Sequence, residues 1–287
     1  MNITVVGAGV IGCAIAHELA SRGARVVLID PRGIGRGATR ASAGILAPHI
    51  EGHIPALRDL AARSLSLYDD FVRRIERDSH RAIEYNRSGT LQVALDDVEA
   101  AALSKDASVL EAAGVECTLL DRVAVKRLEP NLSPRCAAGL LVPMHGYVAA
   151  APLTDALADA ARARGVRVVT AAVRAIDGGT SPVRVTTDTE VLESDAVVVA
   201  SGSWPVATRP AEAPAIKPIR GQLVQLRSSD LVASRVIWGA ACYLVPCRPI
   251  GRRRPRRPAS SSPTPSHRLE RRRATMWATS ARLRMPR

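Results

Sequence analysis

Residues 3–30 read ITVVGAGVIGCAIAHELASRGARVVLID. Residues 3–7 are a β-branched run closed by glycine, the pattern of a buried strand. Over 10–22, Ile11, Ala14, Ile15 and Leu19 return to one helical face, and Gly23 stands where a helix C′ residue is wanted. Residues 25–29, RVVLI, form a second buried strand that ends at Asp30. Strand, glycine turn, helix and strand in this order make the βαβ unit of an α/β protein. Gly7-Ala8-Gly9-Val10-Ile11-Gly12 fits G-x-G-x-x-G. It follows a strand, opens a helix and has an acid at the end of the next strand, the context that gives the pattern its meaning. Gly7 permits a tight turn, Gly9 lets the backbone approach a pyrophosphate, and Gly12 lets the helix close on the sheet. The helix start adds free N–H groups and the positive end of a dipole. Asp30 is spaced to accept hydrogen bonds from ribose hydroxyls. The fingerprint by itself does not separate NAD from FAD.

Beyond this unit the chain alternates helices and strands. The spacing predicts helices over 56–77, 97–113, 121–128 and 152–164. Strands are expected at 90–95, 166–169, 172–176, 183–186 and 196–200, with strand-like content at 216–226 and 236–246. Apolar residues make up 47 % of the 287 positions, enough for a sizeable core, which excludes a wholly disordered chain. No apolar run reaches membrane-spanning length. With no basic residue before Arg22, the start does not read as a signal peptide. A cytoplasmic protein without a membrane partner is expected. Five cysteines, an odd number and none in a C-x-x-C pair, suit reduced thiols rather than a disulfide framework. His49 and His53 lie four apart in a Gly/Pro-containing stretch without a third ligand, so no metal site is expected.

The formal charge of +13 is concentrated at one end. Residues 247–287 hold thirteen arginines against a single acid, Glu270, which leaves +1 for residues 1–246. The basic character therefore belongs to a tail, and a nucleic-acid partner for the body is not implied. The tail lacks apolar periodicity and has Trp277 as its one aromatic residue. It reads as disordered, with the Arg, Pro, Ser and Ala bias expected of a GC-rich gene read out of frame.

Seven segments occur in a telling order: GAGVIGCAIAHELASRG at 7–23, ATRASAGILAPH at 38–49, SGTLQVAL at 88–95, HGYV at 145–148, VVVASGSW at 197–204, IRGQL at 219–223 and CYLVP at 242–246. Over residues 1–246 they resemble the glycine oxidase / D-amino-acid oxidase family of FAD-dependent oxidoreductases, its bacterial thiamine-biosynthetic branch above all. After Pro246 the chain departs from the family pattern.

The resemblance implies an α/β fold in which a Rossmann-like FAD-binding domain (1–85 and 146–213) is interleaved with an antiparallel-sheet substrate domain (86–145 and 214–246), followed by the basic tail. It implies FAD as cofactor, a small amino acid or amine as substrate and molecular oxygen as acceptor, and leaves an oligomer open. The reaction would give an imine, then a 2-oxo acid and ammonia, with hydrogen peroxide released. A D-amino-acid dehydrogenase or sarcosine-oxidase-like enzyme is an alternative, and a non-catalytic remnant is another.

Carried over position by position, Val10 and Ile11 lie at the pyrophosphate with Gly7, Gly9 and Gly12. Asp30 and Pro31 lie at the adenosine ribose, and Ala38 and Thr39 touch the cofactor. Ala43, Gly44 and Ile45 run beside the flavin ring, and the backbone of Val173 faces the adenine. Gly202 and Trp204 follow the strand that closes on the cofactor, with Trp204 either in contact or packed in the core. Tyr243 is the expected catalytic residue, its phenol donating to the substrate carboxylate. The family's G-x-R-P arginine and a later H-x-x-N/S-G-like segment have no counterpart. Arg209-Pro210, Arg248-Pro249 and Arg257-Pro258 are not assigned the arginine's role, so weak or absent turnover is expected.

Overall fold

The computed structural model describes residues 1–50, 54–179, 181–204, 216, 218–219, 221–228, 232–247 and 274–278. The chain divides into two compact units, Met1–Tyr85 with Val148–Gly221, and Asn86–Tyr147 with Gln222–Arg287.

In the first unit, β1 (Asn2–Val6), α1 (Val10–Ser21) and β2 (Arg25–Ile29) realise the βαβ pattern. β1 lies between β2 and the strand Ala196–Val199, parallel to both, and Arg167–Val169 pairs with the outer side of β2. Such two-sided burial explains the unbroken apolar runs of these strands: Val5, Leu28 and Ile29 are fully buried. α1 packs through Cys13 and Ala16 against Leu153, Leu157 and Ala161 of the helix Ala150–Ala163. Val72 and Ile75 of the helix Pro55–Ser79 complete this core. Each fully buried leucine or isoleucine here contributes about 1.5–3 kcal/mol relative to exposure. Gly23 ends α1 at φ +87°, as a C′ glycine should. The strands Val173–Asp177, Val183–Thr187 and Val191–Ser194 form a separate antiparallel sheet.

The second unit is built on a seven-stranded sheet in the order Val224–Ser228, Ala274–Ala278, Tyr243–Cys247, Val236–Trp238, Thr90–Ala94, Ala138–Val142 and Thr118–Asp121. Its pairs are antiparallel except for Val236–Trp238 with Thr90–Ala94, which is parallel. The helix Asp97–Ala112 starts at a reciprocal cap: Asp96 Oδ1 accepts from Glu99 N at 2.8 Å, and Glu99 Oε2 accepts from Leu95 N at 2.8 Å. It buries Leu103, Ala107 and Leu110 against Ala94, Leu140 and Val142. An ion pair between the buried Glu129 and the half-buried Arg235 ties the unit together. Glu129 accepts from Arg235 Nε at 2.8 Å and from Ser234 N at 3.0 Å, while Arg235 Nη1 donates to Ser88 O at 3.0 Å.

The strand-like reading of 216–226 reduces to Val224–Ser228, and that of 236–246 to two strands with a turn at residues 239–242. Of the tail 247–287, Cys247 closes a strand and Ala274–Ala278 forms another. Its remaining residues lie outside the described ones, as does His53.

Candidate dinucleotide-binding site

The site grows from the end of β1. Gly7 adopts φ +106°, and a Cβ there would lie 2.4 Å from the carbonyl oxygen of Ala200. Only glycine turns the chain at this point. Gly7 N donates to Ile29 O at 2.7 Å, which ties the turn to β2. A Cβ on Gly12 would lie 1.8 Å from Gly7 O, so α1 rests directly on the turn. Gly9 differs: among the described residues, the only atom near its missing Cβ is Thr39 Oγ1, at 3.2 Å. The same hydroxyl accepts from Val10 N at 3.1 Å and so serves one of the orphan donors of the helix start.

Asp30 directly follows β2 and is buried. Its Oδ2 accepts from Ala8 N at 3.0 Å and its Oδ1 from Arg32 N at 2.8 Å. A carboxylate has room for about four hydrogen bonds, so capacity remains for ribose hydroxyls. The loop that follows is tied back by Gly35 N, which donates to Ala8 O at 2.8 Å. It leads through Gly37 into the short 3-10 helix Ala38–Ala41.

These pieces enclose a cleft of about 360 Å³ lined by Gly7, Gly9, Val10, Ile11, Asp30, Ala38, Thr39, Gly202 and Trp204, together with Arg32, Gly37, Ser42, Ala200, Ser201 and Ser203. An adjoining cleft of about 290 Å³ shares Gly7, Asp30, Arg32, Ser201 and Trp204 with it and adds Pro31 and Val173. Eleven of the expected cofactor residues therefore meet on two connected hollows of the first unit. Gly12, Ala43 and Gly44 line neither. Gly12 packs on the turn, and Ala43 is buried. Gly44 (φ +69°) crosses so near the chain at Val148 that a Cβ would lie 1.8 Å from its carbonyl oxygen. Ile45 lines a separate hollow of about 190 Å³, formed by residues 45–48 with Ala61, Ser64, Leu65 and Tyr68. Tyr243 belongs to the second unit. It is half-buried and its ring lies 5.2 Å from that of Trp238, its antiparallel partner.

Sequence reasoning missed Arg32, Gly37 and the serines of the cleft. Arg32 stands two residues after the acid that follows β2, a position at which a basic side chain could have been noticed. Its guanidinium lies 3.8 Å from the centroid of the Trp204 ring. Among the described residues, no group of three His, Cys, Asp or Glu side chains could hold a metal ion. No described helix is long and apolar enough to cross a membrane.

The bare backbone at Gly9, the exposed start of α1 and the spare acceptors of Asp30 suit the adenosine diphosphate half of a dinucleotide. A family model described as FAD dependent oxidoreductase (DAO) matches residues 2–270. The glycine oxidase of Geobacillus kaustophilus is 29 % identical over 251 residues, covering 85 % of this chain and 67 % of that protein. The bifunctional protein ThiO/ThiG of Synechocystis sp. is 29 % identical over 256 residues, which make up 86 % of this chain and 37 % of that one. The crystal structure of the G. kaustophilus glycine oxidase superposes with a TM-score of 0.81 at 25 % identity, over 98 % of this chain and 72 % of the other.

Proposed function

The chain belongs to the DAO family of FAD-dependent oxidoreductases, and from that premise we propose that it oxidises glycine or a related small amino acid or amine to the imine. The likeness to the glycine oxidase of G. kaustophilus, in sequence over 85 % of the chain and in fold at a TM-score of 0.81, carries this reading. FAD, when bound, supplies the redox chemistry by accepting a hydride equivalent from the substrate carbon that bears nitrogen. The protein's share is binding and orientation. In this reading Gly9, Val10 and Ile11 present backbone to the diphosphate, and Asp30 accepts from the ribose. Pro31 and Val173 line the side of the site toward the adenine. Ala43, Gly44 and Ile45 carry the chain beside the flavin ring. Tyr243 donates its phenolic hydrogen to the substrate carboxylate, a bond to a charged acceptor worth about 1.5–3 kcal/mol net.

The proposal includes oxygen as acceptor, with water hydrolysing the imine to a 2-oxo acid and ammonia. It also includes a cytoplasmic setting in thiamine biosynthesis. The test has two stages. The purified chain should show a flavin spectrum that anaerobic glycine, sarcosine or D-alanine bleaches only slowly, because the family's G-x-R-P arginine has no counterpart to hold the substrate carboxylate, and air should then restore the colour with release of peroxide. Bleaching without peroxide would instead favour a dehydrogenase of D-amino acids. A bound flavin that no amine or amino acid bleaches would refute the reading.

A further inference from the structure

Arg32 and Trp204 are 172 positions apart in sequence, yet they meet at the mouth shared by the two hollows. The guanidinium carbon lies over the indole, 3.8 Å from the ring centroid. Gly37 makes room for the pair. A Cβ there would lie 3.0 Å from the Trp204 ring and 3.3 Å from Arg32 Nη2.

The charges of the site give this stack a purpose. Among the described residues that line either hollow, Asp30 is the only acid and Arg32 the only cation. No described carboxylate forms an ion pair with the Arg32 guanidinium, and Asp30 is engaged with backbone N–H groups. A dinucleotide brings a diphosphate with two negative charges. Without Arg32 that ligand would enter a site whose one charged side chain repels it. A guanidinium presents several N–H donors in one plane, which matches phosphate oxygens. Stacking on an aromatic face holds that plane and leaves its edge free to donate.

We propose that Arg32, held against Trp204 in space left by Gly37, is the counter-charge for the dinucleotide's diphosphate. The proposal rests on the reading of the cleft as the FAD site, and the experiment separates the two. The full chain, freed of flavin, is titrated with adenosine and with ADP by calorimetry and with FAD by flavin fluorescence. Arg32→Gln, Arg32→Lys and Gly37→Ala are measured beside it. Arg32 is exposed, so its replacement leaves the core intact. Arg32→Gln should weaken ADP and FAD by about 10-fold, the low end for a hydrogen bond to a charged group, and leave adenosine unchanged. The loss should shrink as salt rises. Arg32→Lys should recover part of it, and Gly37→Ala should reproduce part of it by pushing the stack apart. Equal weakening of adenosine and ADP, or unchanged ADP binding in Arg32→Gln, would overturn the role of Arg32 while the cleft stands. If the unaltered chain binds FAD but neither ADP nor adenosine, the assignment of the cleft falls and the proposal falls with it.

Discussion

Replacing Gly12 and Gly9 by alanine, one at a time, separates two demands that a single motif places on glycine. In the interior of a helix alanine is preferred to glycine by about 1 kcal/mol, so on propensity alone Gly12→Ala should stabilise α1. Space says otherwise. The new methyl would stand 1.8 Å from Gly7 O, a backbone atom of a turn pinned to Ile29 and pressed on Ala200. Ordinary contact between such atoms begins near 3.4 Å, so α1 or the turn must move by more than a side-chain adjustment can supply. Overpacking of this kind costs about 1–3 kcal/mol and at times more. The upper end applies because the clashing atom is backbone, which leaves a net loss of about 2 kcal/mol after the helix gain. Gly9→Ala meets, among the described residues, only the hydroxyl of Thr39 at 3.2 Å, which must give by only a few tenths of an ångström. Its effect on folding should stay below about 0.5 kcal/mol, as for substitutions away from the core. Its methyl stands where a diphosphate approaches, so FAD affinity should drop about 10-fold or more, the equivalent of 1.4 kcal/mol of misfit. Urea unfolding of the flavin-free proteins reads the first quantity and flavin titration the second. Equal unfolding midpoints for the two variants, or normal FAD affinity in Gly9→Ala, would refute the division of labour.

Two more outcomes follow from buried charge. Burial holds the His17 imidazole below its usual 6.5 despite the hydrogen bond to Asp78, and Arg74 and Arg164 push the same way. The unfolded chain therefore takes up a proton that the folded one resists, so His17 contributes stability that is complete above 6.5 and lost as pH falls below it. Unfolding midpoints should drop over that window, less steeply in His17→Gln; an unchanged slope would show that the carboxylates Asp78 and Glu18 carry the dependence. In the second unit, Glu129→Ala takes the carboxylate from Ser234 N and from the partly buried Arg235 guanidinium, which keeps Ser88 O, and should cost about 2 kcal/mol, whereas replacing both by apolar residues of similar volume should cost less. A double variant weaker than the single one would disprove that account.

The βαβ unit was legible almost to the residue because local signals and burial agree there. The strand expected at 3–7 runs Asn2–Val6, and the helix expected at 10–22 runs Val10–Ser21. The helix expected at 97–113 was equally legible, since Asp96, Glu99 and Gly114 punctuate it. The strand Ala138–Val142 was not. Its Ala-Gly start has no strand preference of its own. It becomes a strand by pairing with Thr90–Ala94 and Thr118–Asp121, and a Cβ on Gly139 would stand 2.9 Å from both Leu91 Cδ1 and Val125 Cγ2. Pairing of that kind is set by the tertiary fold and leaves no periodicity to read. The cleft shows the same split. Asp30 is marked by its distance from the glycines, but the contact between Arg32 and Trp204 joins two distant segments, and nothing in either segment announces the other.

The position of β1 in its sheet also sets a timetable. β1 is among the first residues made, and it acquires β2 within moments. Its other neighbour, Ala196–Val199, is synthesised last of the four strands in that sheet. At about 5–20 residues per second a ribosome needs roughly 10–40 s to reach it. For that interval one edge of a strand made of Ile3, Val5 and their neighbours stands unpaired. An open apolar edge invites pairing with another nascent chain. Expression yield should therefore depend on chaperone supply and on growth temperature more than the stability of the finished protein would suggest.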